Sequence, residues 1–342
     1  MTAITKGAWV AVLATALFAT SASRAAETPT YVVADMAGRS VRLPARIERV
    51  VTLGSLPVLN SFVFSMGQGA TLVNGLADFA QPHWKFQLVF APQIARLPAM
   101  QLPNREPNVE AILLARPDVV LTMHRASVDL LARTGIPTIY LAWREPEDVK
   151  TCMTLLGEVF RRPEHAVRYR RYFDDTLARV RPALQPVPTS ARPKVLYFHP
   201  ATLTQPRLIA EWWIPAAGGV SVTDDGRTAE SRTFSLEQVV LWNPEILIVT
   251  GPNDVALLRS DPTFRRLKAV QNGRIYVVPV GAHTWANRTA EQPLTVLWAA
   301  KTFHPERFAT LDLAAETKAF YRDFFGYTAT EAQIAEILSG TL

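Results

Sequence analysis

One cysteine occurs in 342 residues, Cys152, so no internal disulfide can form and no cysteine pair can hold a metal. Its setting, "CMTLLGEVF", reads as an apolar helix face, which makes it a small buried hydrophobe and not a reactive thiol. No run of Lys or Arg resembles a nucleic-acid patch, which excludes that class of partner. The catalytic signatures G-x-S-x-G, H-E-x-x-H and C-x-x-C are missing, as are a P-loop and any G-x-G-x-x-G after a predicted strand. The adjacent acids Asp174-Asp175 and Asp224-Asp225 read as solvated turn or helix-face residues. Nothing in the sequence demands catalysis.

Long apolar runs are also scarce. "AWVAVLATALFAT" is too short to span a bilayer; it follows Lys6 and precedes "SASRAA". Small residues at Ser23 and Ala25 suit the positions three and one before a cleavage site. Residues 1–25 are therefore expected to be a signal peptide, with no Cys near the cut to take a lipid, and the mature protein is expected to be exported and soluble. Loss of Lys6 and Arg24 would lower the formal charge from +6 to +4, a balance compatible with an anionic ligand.

What remains is 49% hydrophobic and 19% charged, enough for two globular domains. Short β-branched runs alternate with helical segments in "RVVTLGSLPVLNSFVFSMGQGATLVNGL", "NVEAILLARPDVVLTM" and "VDLLARTGIPTIYLA". Strands that are nearly all apolar predict parallel sheets covered on both faces. The pattern then breaks at "PEHAVRYRRYFDDTLARVRPAL", Pro163 to Leu184, one long helix with a narrow apolar stripe through Val167, Tyr169 or Arg170, Phe173, Leu177 and Val180. After "QPVPTSARP" the alternation restarts and the same wording returns. "NVEAILLARPDVVLT" and "SLEQVVLWNPEILIVT" each place a Glu (Glu110, Glu237) seven positions before a Pro (Pro117, Pro244), followed by an acid and an aliphatic run. The predicted class is α/β: two parallel-sheet lobes (26–162 and 187–342) bridged by one long helix (163–186), with a ligand cleft between the lobes.

In open parallel sheets ligands bind beyond the carboxyl ends of the strands. The candidates that fall there are Ser55, His83, Trp84, His124, Arg125, His199, His283, Trp285 and Arg288, joined by Arg207, Trp212 and Trp213. Aromatic walls, Arg and imidazole suit a bulky anionic or metal-containing ligand. The other two histidines, His165 and His304, fall at predicted helix starts and are expected in solvent, while Trp242 and Trp298 are expected in the core.

These motifs resemble the class III, helical-backbone periplasmic substrate-binding proteins of ABC importers, the siderophore, haem and cobalamin group. "DMAGRSVRLPARIERVVTL" resembles the opening hairpin and first strand, the paired Glu-to-Pro segments the family's duplicated motif, and "LKAVQNGRIYVVP" its late strand. "EQPLTVLWAAKTFHPERF" and "KAFYRDFFGY" resemble a subgroup that carries metal chelates. The resemblance implies a periplasmic monomer without a cofactor of its own. It implies a permease dimer in the inner membrane as partner, with Glu110 and Glu237 docking on it. The implied cargo is a metal chelate, an iron–siderophore first, with a nickel or cobalt chelate, haem, cobalamin or molybdate as alternatives. His124, His199 and His283 are the residues expected to complete the metal's coordination through the chelate. An exported α/β enzyme using the same cleft is the reading from a different class.

Overall fold

The computed structural model describes residues 29–76, 84–206, 208–226, 229 and 231–341, together with Thr2. The expected signal peptide falls outside the described residues, among which no helix is long and apolar enough to cross a membrane. The chain opens with an antiparallel hairpin, β1 (Thr30–Ala34) and β2 (Ser40–Pro44). It continues through β3 (Val50–Leu53), α1 (Leu56–Ser65), α2 (Lys85–Phe90), α3 (Val109–Ala115), β4 (Val119–Thr122), α4 (Arg125–Leu131), β5 (Thr138–Tyr140) and α5 (Pro146–Val159). Strands β3, β4 and β5 form a parallel sheet in that order. Then comes α6 (Pro163–Leu184), the bridging helix, with Pro at its first position.

The second half repeats the plan: β6 (Lys194–Tyr197), β7 (Thr204–Pro206), α7 (Trp213–Ala216), β8 (Val220–Ser221), β9 (Ser231–Thr233), α8 (Leu236–Trp242) and β10 (Ile246–Val249). It continues with α9 (Pro252–Ser260), α10 (Lys268–Gln271), β11 (Ile275–Val277), α11 (Gln292–Phe303), α12 (Leu313–Phe320) and α13 (Glu331–Ser339). Its parallel sheet runs β11-β10-β6-β8, and β7 pairs with β9 as a separate ribbon. The fold is thus α/β with two parallel sheets, as the apolar strands predict.

Alternation along the strands sorts the interior. Val50, Val119, Leu121 and Ile139 face a central core that also takes Val195, Tyr197, Ile246 and Ile248 from the second sheet. Their neighbours Val51, Leu53 and Val120 face an outer core of the first lobe, and Leu196, Phe198, Leu247 and Val249 face one of the second. With both faces apolar, hydrophobic pattern alone sets register poorly. Polar pins supply it. The Asp118 N–H donates to Arg49 O (2.8 Å) while its Oδ2 accepts from the N–H groups of Glu48 and Arg49 (2.7 and 2.8 Å). Glu245 does the same in the second lobe, its N–H on Lys194 O (2.8 Å) and its Oε2 on Lys194 N–H (3.1 Å).

Helix α6 buries His165, Ala166, Tyr169, Phe173, Thr176, Val180 and Leu184, a row with helical spacing. Val167, expected in the apolar stripe, instead stands 64% exposed. Tyr169, Phe173 and Val180 are buried and Leu177 partly buried as expected, while His165 and Thr176 join the row as buried polar members. After Gly281 the chain turns back across the molecule, so elements late in sequence pack on the first lobe. Phe90 meets Tyr321, Phe325 and Tyr327 at ring centroid distances of 4.9, 4.9 and 5.3 Å.

Candidate functional site

The strand ends of the first lobe set its side of the site. Gly54 follows β3 with φ +101, a conformation that side chains rarely adopt, and a Cβ there would lie 3.3 Å from the His124 ring. The imidazole therefore lies against bare backbone. The backbone N–H of His124 donates to Thr122 Oγ1 (3.1 Å). Arg125, the first residue of α4, is exposed and places its guanidinium 4.9 Å from the centre of the Tyr140 ring. Ser55 stands half-buried just before α1.

Beneath these groups runs a buried chain of neutral polar side chains. Thr52 Oγ1 donates to Asn60 Oδ1 (2.7 Å), Asn60 Nδ2 to Gln87 Oε1 (2.8 Å), and Gln87 Nε2 to Ala282 O (2.5 Å) and Pro57 O (2.9 Å). The chain links β3 to the loop between β11 and α11, and so ties the two halves of the site together. Unpaired buried amides are costly, so each member fixes the next.

That loop, Val278 to Glu291, is held from every side. Glu291 is fully buried and accepts from Tyr321 OH (2.5 Å), Thr289 Oγ1 (2.7 Å), Ala282 N–H (2.9 Å) and His283 N–H (3.1 Å). Burial pushes its carboxyl above the usual glutamate range, and these four donors oppose the shift. A Cβ on Gly281 would collide with both Glu291 and Tyr321, so only glycine fits there. Tyr169 OH donates to Ala290 O (2.5 Å) and Ala290 N–H to Ser61 Oγ (3.1 Å), which pins the loop to α6 and α1. The loop then presents His283, whose ring stacks on Trp84 with centroids 4.4 Å apart and planes at 15°. Its Nδ1–H donates to Thr284 O (3.3 Å), which puts the lone pair of the neutral ring on Nε2.

Most candidates from the sequence now have a place. Trp84 and His283 come together, and Ser55, His124 and Arg125 cluster at the ends of β3 and β4. His199 follows β6, half-buried, with Nδ1 3.3 Å from Thr250 Oγ1, which in turn donates to Asp254 Oδ2 (3.1 Å). Arg288 is half-buried, its N–H on Asn287 Oδ1 (2.9 Å). His83 and Arg207 lie outside the described residues.

Two of the expected aromatic walls are corrected: Trp213 and Trp285 are fully buried members of the central core. Trp213 Nε1 donates to Ala210 O (2.8 Å), and its ring packs on Tyr197, Trp298 and Phe303. Trp212 is half-buried; it stacks on Phe173 of α6 (5.7 Å, 21°) and donates Nε1–H to Gln292 Oε1 (2.8 Å). Trp298 is core as expected, 6% exposed, whereas Trp242 is only partly buried, edge-on to Phe234.

His165 and His304 are not solvent residues. His165 is 5% exposed, donates Nε2–H to Ser65 O (2.7 Å) and accepts from Arg168 (2.9 Å). His304 ends α11 instead of starting a helix, and donates Nε2–H to Gly218 O (3.0 Å). Burial holds both rings below the usual histidine range. Gln87, Glu291 and Tyr321 were missed by sequence reasoning. Glu291 sits in the "EQP" that heads α11, a helix-start signal that gave no hint of burial. Glu110 and Glu237 are exposed in the first turns of α3 and α8. Among the described residues no group of three or more His, Cys, Asp or Glu could hold a metal ion, so His124, His199 and His283 stand at separate strand ends.

Comparison with known proteins places this geometry. A family model described as periplasmic binding protein matches residues 101–280. The molybdate-binding protein MolA of Haemophilus influenzae is 23% identical over 86% of this chain and 90% of its own length. Its structure, bound to molybdate and described as the cognate periplasmic binding protein of an ABC transporter, superposes with TM-score 0.76 at 19% identity, over 88% and 99% of the two chains. A periplasmic solute binding protein from Veillonella parvula reaches 0.79 at 24% identity, over 91% and 97%. Helicobacter pylori Ceue with Ni(II) bound reaches 0.71 at 19% identity, over 89% and 98%.

Proposed function

The chain belongs to the periplasmic binding protein family, and on that premise we propose that it is the solute-capturing subunit of an ABC importer. In this reading it takes a compact, anionic, metal-centred solute between its lobes and hands it to a membrane permease. The observation that carries the size of the ligand is the Trp84–His283 stack. One indole face is already covered by imidazole, and Trp213 and Trp285 are withdrawn into the core. Little aromatic wall is left for a broad planar chelate. What remains at the strand ends is cationic and imidazole-rich: Arg125, Arg288, His124, His199 and His283. Such groups meet charged oxygens through charge-assisted hydrogen bonds, and imidazole can fill an open coordination position.

A molybdate-type oxyanion is therefore the first candidate, ahead of the iron–siderophore expected from sequence, and the similarity to MolA over 90% of its length supports it. The ligand is released unchanged, since the relatives are solute-binding proteins and the sequence carries no catalytic signature. Native mass spectrometry with metal analysis on protein from its own periplasm tests this reading, followed by calorimetric titration. The titrants are molybdate, nickel and cobalt chelates, haem, cobalamin and ferric siderophores. Tightest binding of an oxyanion is expected. A ferric siderophore that binds tighter than every compact anion would overturn the size argument, and turnover of any bound ligand would favour the enzyme.

A further inference from the structure

The duplicated unit carries more than its acid. Among the exposed large hydrophobic residues, Leu113 (48%) and Leu114 (78%) stand on α3, and Val240 (41%) and Leu241 (83%) on α8. Counted from Glu110 and Glu237, they occupy the same two positions, three and four residues on. Each helix runs back into a parallel strand, so its first turn lies at the end of the sheet where the strands finish. Both lobes therefore show an acid near the cleft rim and an apolar pair about one turn away from it. Beside the first, Arg49, Val109, Glu110, Leu113, Leu114, Ala115 and Arg116 line a surface depression of about 710 Å³.

We propose that Leu113/Leu114 and Val240/Leu241 are two equivalent apolar knobs that seat in matching sockets on the two halves of the permease, each beside a basic group that meets Glu110 or Glu237. The inference rests on the importer reading above. An exposed Leu-Leu or Val-Leu pair at one place is unremarkable. The same exposed pair at the same position of both repeated helices suits a partner that is itself duplicated, because matched contacts on both sides fit a two-fold surface. Size argues against a stable dimer of this chain. Two side chains per lobe fall well short of the ~800 Å² per partner of a stable interface. Two weak contacts on one rigid body bind usefully only when engaged together. That is the behaviour a carrier needs if it is to dock, deliver and leave.

The test uses the importer's permease–ATPase complex in nanodiscs and follows ATP hydrolysis as binding protein is added. Leu113→Ser/Leu114→Ser and Val240→Ser/Leu241→Ser should each raise the half-maximal concentration about tenfold, and the fourfold variant should stimulate no hydrolysis. Melting temperature and molybdate titration of each variant should match wild type, since none of these side chains is a member of a buried core cluster or of the candidate site. Glu110→Lys/Glu237→Lys serves as the control for the underlying reading. Loss of stimulation in that control with wild-type behaviour of the fourfold serine variant overturns the knobs and leaves the importer reading intact. Unchanged stimulation in both overturns both. Sedimentation of wild type as a dimer that the serine variants dissociate would reassign the surface to self-association and overturn the proposal.

Discussion

The two lobes agree most closely where they face neither ligand nor each other. Helices α3 and α8 are both seven residues long, and both stop at a left-handed residue, Arg116 (φ 45) and Asn243 (φ 42). After each comes a Pro, then an acid that pins the neighbouring strand, then a four-residue strand buried on both faces. The caps already differ. Asn108 accepts from Ala111 N–H alone, whereas Ser235 and Gln238 form a reciprocal box. Past the strands the agreement ends. β4 stops at Thr122 and leads into His124 and Arg125, while Thr250 lies one residue beyond β10, held to Asp254 and facing His199. The polar supports differ in kind too: neutral amides behind β3 and α1, a buried carboxylate in the loop between β11 and α11. The two lobes match in the scaffold and its outer helices, and differ at the strand ends where the candidate site lies.

The comparison breaks most visibly at its acids. On the proposed docking, Glu110→Lys and Glu237→Lys should each depress uptake by similar factors, and together by about a hundredfold or more, because each would set like charge against the permease's basic group. Ligand affinity should not move. Transport assays beside calorimetry check this, and strongly unequal single-variant losses would mean that the lobes are not functionally equivalent.

Next in size is the fully buried carboxylate of the loop between β11 and α11. Glu291→Ala strands the Tyr321 and Thr289 hydroxyls and two backbone N–H groups, and should cost about 3 kcal/mol or more in denaturant unfolding. The sign of its pH dependence follows from its raised value. The folded state holds this proton more tightly than the unfolded chain, so its stabilising contribution is complete below about pH 4.3 and is lost as pH rises through the folded value. Glu291→Gln should flatten that slope in thermal scans. A slope identical to wild type would show that another group governs it.

Smaller, and sharpest for the site, are the strand ends. Arg288→Ala and His283→Ala should each weaken ligand binding about tenfold, the worth of one charge-assisted contact or one ligating imidazole. Wild-type affinity in both, for every ligand that binds, would remove them from the site. The same substitutions at Arg125 and His124 show how far the first lobe shares the load.

Much of this architecture was legible beforehand. Apolar runs broken by Pro and Gly announced parallel sheets, and Pro163 to Leu184 declared itself as one helix through its length and polarity. The paired Glu-to-Pro segments announced the duplication. Side-chain burial was less legible. His165 and His304 read as solvated because they neighbour helix ends, yet each found a backbone carbonyl from a distant segment. Trp285 read as a cleft wall because it follows a strand and Trp213 as an aromatic accompanying the strand-end set, but an indole's large apolar area is better placed in the core. Glu291 was not singled out, because nothing in the local sequence of "EQP" signals burial.

Local periodicity, turn residues and the repeated motif follow from neighbours in the chain, and so the sequence by itself determined the strands, the bridging helix, the two like lobes and the acids on their outer helices. The return of the last sixty residues across the first lobe was decided only in three dimensions. With it came the Gln87–Ala282 link between halves, the four donors around Glu291, and the stacking of His283 on Trp84. The Gln87–Ala282, Trp84–His283 and Tyr321–Glu291 contacts join residues tens to hundreds of positions apart, and their energies depend on burial and shape that no local pattern encodes.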